Sequence, residues 1–154
     1  DFEMLKAVRK VNEEQKKLLF KKIEDAIWII KDKTIAVLGL SFKPDTDDIR
    51  NSVPIEMIRR LQQAGARIRA YDPKAMPKAK PELKSVVFCK DAYDAAKGSH
   101  CLLIMTEWAE FAALDWQRIK KTLRQPVIID ARNMLDANKM SELGFIYQCI
   151  GRGM

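Results

Sequence analysis

Apolar residues between Phe2 and Ile30 recur at spacings near three and four: Leu5, Val8, Leu19, Ile23, Ala26, Ile27 and Ile30, with charges between them. That period predicts one long helix over residues 2–30, and neither Gly nor Pro interrupts it. Such a helix reaches roughly 43 Å at 1.5 Å per residue. Its length favours a docked C-terminal half and a projecting N-terminal half. Asp32 and Lys33 mark a break.

From Thr34 the pattern turns to short apolar runs alternating with helical stretches. Strands are predicted over Thr34–Leu38, Arg67–Tyr71, Val86–Phe88, Cys101–Met105, Pro126–Ile129 and Phe145–Gln148. Helices are predicted over Ile55–Ala64, stopped by Gly65, then over Asp91–Lys97 with Asp91 as cap, Asp115–Thr122 and Asn138–Glu142. The Pro- and Lys-rich stretch 74–84 reads as a loop with a helical turn. Apolar runs that do not alternate belong to a parallel sheet covered on both faces. Right-handed crossovers then make a doubly wound, Rossmann-like α/β domain of three layers, α/β/α, preceded by the long N-terminal helix. The organisation predicted is a helix over 1–31 and a Rossmann-like domain over 32–154. Ligands of such sheets bind at the carboxyl ends of the strands. The loops of interest are therefore Gly39–Pro54, Asp72–Pro73, Thr106–Phe111 and Asp130–Leu135.

Composition narrows the classes. With 47% hydrophobic and 32% charged residues in 154, the chain is globular and long enough to bury a core. No apolar run approaches the ~18 residues of a membrane span, so no membrane is expected as a partner. Three Cys without framework spacing point to a reducing, cytoplasmic setting rather than a disulfide scaffold. The chain starts at Asp1 rather than Met, which suits a piece of something longer. A net charge of +7 attracts anions, or is simply a solvated basic surface. The lysines are spread and not interleaved with aromatics, which argues against nucleic acid.

The first strand-to-helix loop carries Gly39 but not the G-x-G-x-x-G that lets a backbone approach a pyrophosphate. It offers Phe42 as an aromatic wall, Lys43 and Arg50 as cations, and Asp45, Asp47 and Asp48 as acids. The cations suit phosphate; equally, the acids could neutralise Arg50 locally and cap the next helix. Three acids also raise Mg²⁺, but no nucleotide motif accompanies them and no metal is assigned. Trp108 and Phe111 could stack on a base, or cover the sheet. Arg132, after the fifth strand, points toward the crevice of Lys43, and two converging cations fit a diphosphate. His100 reads as structural. Cys89, Cys101 and Cys149 lack metal-ligand spacing, and no catalytic nucleophile or base is found.

The segments KTIAVLGLSFKPDTDDIRNS, RIRAYDPKA, LIMTEWAEF, VIIDARNMLD and GFIYQCIGR, in that order, resemble the C-terminal UDP-binding portion of the UDP-glucose/GDP-mannose dehydrogenase family. The likeness runs from about Leu5 to Arg152. Its T-E-W and D-x-R-N elements favour the UDP-glucose branch. The resemblance implies a parent oxidoreductase that converts UDP-glucose to UDP-glucuronate with two NAD⁺, in nucleotide-sugar metabolism and polysaccharide biosynthesis. The family's catalytic Cys, in a G-F-G-G-x-C segment, and its NAD fingerprint have no match here, so this chain alone is expected to be inactive. Residue by residue, Phe42, Lys43 and Arg132 match substrate-binding positions, and Arg50 matches the Arg that reaches NAD. Ala131 stands where many members have Gly. The long helix would be the end of a central dimerisation helix, implying a homodimer and contact with the NAD-binding domain. The alternatives are the same domain of another UDP- or GDP-sugar dehydrogenase, or a stand-alone nucleotide-binding or dimerisation module.

Overall fold

The computed structural model describes residues 1–151. The expected domain end at Met154, and the last residue of the resemblance, Arg152, lie outside them. The elements run α1 (Phe2–Ile27), β1 (Thr34–Leu38), α2 (Val53–Gln63), β2 (Arg67–Tyr71), α3 (Met76–Ala79), β3 (Val86–Phe88), α4 (Ala92–Ala96), β4 (Cys101–Ile104), α5 (Ala109–Ala112), α6 (Trp116–Thr122), β5 (Val127–Asp130), α7 (Ala137–Glu142) and β6 (Ile146–Cys149). The strands form one sheet in the order β3-β2-β1-β4-β5-β6. Every pairing is parallel. This is the doubly wound order with its switch point between β1 and β4. Leu38 pairs with Tyr71 on one side and Ile104 on the other. The loops leaving β1, β2 and β4 therefore emerge side by side.

Alternation within the buried strands splits the core into two. Ile35 and Val37 join Leu103 and Ile129 under α1 and α2. Ala36 and Leu38 join Leu102 and Ile128 under α4, α6 and α7. Both faces are covered, as continuous apolar strands require. In α1, Leu19, Ile23 and Ile27 are buried, while Phe2, Leu5, Val8 and Val11 are exposed. The docked and projecting halves are thus as expected.

Several boundaries differ from expectation. Helix α1 stops at Ile27 rather than Ile30. Trp28 takes φ 66° while its N–H still reaches Glu24 O, and the turn that follows drops Ile30 into the core. Helix α2 starts earlier, at Val53, because Ser52 caps it and Pro54 fits its first turn. The loop acids, which could have capped it, do not: the N-cap is Ser52. Strands β5 and β6 lie one residue later than predicted, and β4 ends one residue sooner. Residues 109–112 form the short helix α5, where a loop was expected.

Candidate functional site

The loop after β1 is pinned by a carboxylate from the neighbouring strand end. Asp72, 1% exposed, accepts from Leu40 N at 2.7 Å and Ser41 N at 3.1 Å. The same oxygen accepts from Trp108 Nε1 at 3.2 Å. Its other oxygen accepts from Lys74 N and Ala75 N at 2.8 and 2.7 Å. Thr106 Oγ1 donates to Ser41 O, and Ser52 Oγ donates to Leu40 O. Gly39 makes the turn at φ +97°, and a Cβ there would lie 2.6 Å from Thr106. In a dinucleotide-binding domain an acid near this position holds the cofactor ribose. Here its oxygens are spent on the protein's own donors. The crevice of this sheet therefore does not fit NAD.

The same pinning carries the chain to Phe42, which is 56% exposed. Phe42 N donates to Asp48 O at 2.8 Å, closing the loop on itself. A mirror arrangement fixes the loop after β5. Buried Asp130 accepts from Arg132 N at 3.0 Å, and from Met134 N, Leu135 N and Tyr147 Oη at 2.9, 3.0 and 2.7 Å. Arg132 thus leaves an anchored backbone. Its Nη2 donates to Glu107 Oε1 at 2.9 Å, and its Nε pairs with Glu107 Oε2. Burial of Glu107 opposes its ionisation, yet the Arg132 guanidinium and a backbone donor hold its carboxyl below the usual range.

Phe42 and Arg132 face one open cleft of about 830 Å³. Its far wall is α1, through Arg9, Asn12, Gln15 and Lys16, and Asn51 adds an amide from the first loop. Leu19, Met105 and Ile150 supply the apolar part. Lys43 is exposed but does not line this cleft; the expected convergence of Lys43 with Arg132 is replaced by cations from α1. Arg50 lies instead on a smaller hollow of about 580 Å³ beside α2. Its Nε and Nη2 grip Asp48 at 3.0 and 2.9 Å. That grip holds the Asp48 carboxyl down at about 2. Local neutralisation of Arg50 by an acid is therefore realised.

Of the remaining candidates, Trp108 and Phe111 are 5% and 0% exposed and cover the sheet. They are not free to stack on a base. Asp47 pairs with Lys78 at 3.1 Å, and no group of three or more potential ligands that could hold a metal occurs among the described residues. His100 Nδ1 accepts from Thr34 N at 3.1 Å, and burial pushes its pKa down, as suits a structural imidazole. Burial alone pushes the Cys101 thiol up to about 12. The residues that sequence reasoning missed are Glu107 and the α1 wall. The polar positions 9, 12 and 16, which flank the apolar stripe at helical spacing, were the available signal for the latter.

Residues 36–137 match the UDP-glucose/GDP-mannose dehydrogenase family, UDP binding domain. UDP-glucose 6-dehydrogenase TuaD of Bacillus subtilis is 40% identical over 152 residues, 98% of this chain and 33% of that protein. UDP-glucose 6-dehydrogenase of Rhizobium meliloti is 41% identical over 143 residues, 92% of this chain and 33% of its own length. Among solved structures, a UDP-glucose dehydrogenase from Pyrobaculum islandicum superposes with TM-score 0.79 at 33% identity, covering 93% of this chain and 31% of that one. A UDP-D-ManNAc dehydrogenase from Pyrococcus horikoshii gives 0.82 at 28% identity, covering 99% of this chain and 34% of its own. The chain thus spans about a third of the length of the curated relatives it matches. With a UDP binding domain matched from β1 to α7 and relatives aligned along nearly its whole length, this chain belongs to the UDP-glucose/GDP-mannose dehydrogenase family.

Proposed function

We infer that the chain is the nucleotide-sugar-holding portion of an NAD-dependent UDP-glucose 6-dehydrogenase, which oxidises UDP-glucose to UDP-glucuronate. The observation that carries this is the cleft at the strand ends, where exposed Phe42 and anchored Arg132 face a polar helix wall. An aromatic face suits a base or sugar ring. A guanidinium already oriented by Glu107 suits the hydroxyl oxygens of a ring without the cost of ordering a free side chain. Phe42, Arg132 and, from the loop's outer side, Lys43 are assigned to substrate.

The reaction needs a hydride acceptor, which NAD supplies. The β1–β2 crevice does not fit that cofactor, so its site, and the catalytic thiol, are assigned to parts of the enzyme beyond these residues. Arg50, with its side chain 87% exposed at the rim, would face the cofactor across the domain boundary. The exposed apolar residues Phe2, Leu5, Val8 and Val11 on α1 support pairing of subunits, or docking of the NAD-binding domain, through that helix. In this reading α1 is the end of the central helix and residues 32–154 are the UDP-binding domain. The three free cysteines suit the reducing cytoplasm.

Calorimetric titration with UDP and GDP at low salt tests the reading. UDP binding without GDP binding supports the UDP branch. Equal or preferred GDP binding would move the assignment to another nucleotide-sugar dehydrogenase. No NADH should form from UDP-glucose and NAD⁺ with this chain alone; measurable turnover would contradict the placement of the catalytic thiol elsewhere.

A further inference from the structure

The charged side chains around the cleft differ in what they already hold. Lys16 Nζ lies 2.8 Å from Glu13 and 2.6 Å from Glu56. Arg60 closes the ring, at 3.0 Å from Glu13 and 2.6 Å from Glu56. This ring of two acids and two bases joins α1 to α2 and carries no net charge. Arg132 is likewise matched by Glu107. Arg9 lines the same cleft and is exposed. Among the described residues it is the one cation lining the cleft that has no ion pair or side-chain hydrogen bond.

The consequence is electrostatic. A diphosphate approaching Arg132 or Lys16 also meets the carboxylate that each already holds, so attraction and repulsion largely offset. A diphosphate approaching Arg9 meets an uncompensated guanidinium with its donors free for bidentate contact. The cleft therefore has a cationic end on α1. The Arg132–Glu107 pair beside Phe42 is neutral overall and suits a ring bearing hydroxyl or amide groups.

We propose that Arg9 of α1 is the phosphate-binding residue of the cleft and orients a nucleoside diphosphate with its phosphates toward α1. This rests on reading the cleft as a nucleoside-diphosphate site. It makes α1 part of the ligand site as well as an assembly element. Because Arg9 is exposed, Arg9→Gln preserves helix propensity and removes only the charge.

The test is calorimetric titration of wild type, Arg9→Gln and Arg9→Lys with UDP and with uridine at two salt concentrations. Circular dichroism melting serves as the folding control. The expected result is at least a tenfold loss of UDP affinity in Arg9→Gln, with most of it regained in Arg9→Lys. Uridine affinity should be unchanged, and the salt dependence of UDP binding should be shallower in Arg9→Gln. Wild-type affinity for UDP in Arg9→Gln, or an equal loss for UDP and uridine, would overturn the role of Arg9 and leave the reading of the cleft standing. Failure of the wild-type chain to bind UDP would overturn both.

Discussion

Replacing Asp72 by Asn probes the device that holds the first loop. The change is isosteric, so no cavity forms. One carboxylate oxygen accepts from Leu40 N, Ser41 N and Trp108 Nε1, and the other from Lys74 N and Ala75 N. An asparagine serves the three-donor side best with its oxygen there. Its NH₂ then faces the amides of Lys74 and Ala75, leaving two donors without an acceptor at a buried position. At roughly 1–3 kcal/mol for each, the loss is about 2–6 kcal/mol. That is a large part of the ~5–15 kcal/mol that holds a typical domain together. For a chain of this size about 3 kcal/mol lowers Tm by roughly 6–12 °C. Scanning calorimetry of the two proteins reads this directly. The affinity for UDP should change little in the folded protein, because the Leu40 and Ser41 amides that precede Phe42 keep their acceptor. A Tm within about 2 °C of wild type would refute the claim that Asp72 is a saturated acceptor.

Other consequences are equally concrete. Gly39→Ala puts a Cβ 2.6 Å from Thr106 at φ +97°. It should cost at least about 1–3 kcal/mol in backbone strain, read as a lower urea midpoint; an unchanged midpoint would contradict the tight approach. The Asp48 carboxyl, followed by NMR, should titrate near 2 rather than near its ordinary 3.8, and Arg50→Ala should return it toward the ordinary value. Because the folded pKa is the lower one, the stabilising pair is intact above about 3.8 and fades as pH falls toward about 2. An unmoved midpoint in Arg50→Ala would show that the grip is not what depresses it. Cys101, fully buried with its thiol raised to about 12, should resist alkylation at pH 8 in the folded chain, by mass spectrometry; rapid labelling would count against it.

Legibility in the sequence follows the range of the forces involved. Strands β1, β2 and β3 end where Gly39, Asp72 and Cys89 follow an apolar run in β1 and β3 and an alternating one in β2, because strand pattern and turn residues are local. The caps at Asp91 and Asp115 are local too. Helix α5 was not legible, since four residues carry less than two turns of periodicity. Nor was the early end of α1, which is set by burying Ile30 rather than by a breaker. At the site, Phe42 and Arg132 could be named from their places after β1 and β5. The pairing of Arg132 with Glu107 spans 25 positions, and that of Asp72 with Leu40 spans 32. Both depend on which strands become neighbours, and no local pattern encodes that. The α1 wall was missed for a different reason. A long amphipathic helix reads first as an assembly element, and its polar side shows its use only once Leu19 and Ile23 dock it over the strand ends.

Amide NMR of the labelled chain titrated with UDP locates the nucleotide directly. The predicted result is a set of shift changes centred on Phe42, Asn51, Ala131 and Arg132 and on the α1 positions Arg9, Asn12 and Lys16, the residues that share the cleft. Changes centred instead on residues 72–75, at the end of β2, would place the ligand in the crevice that Asp72 fills and contradict the account.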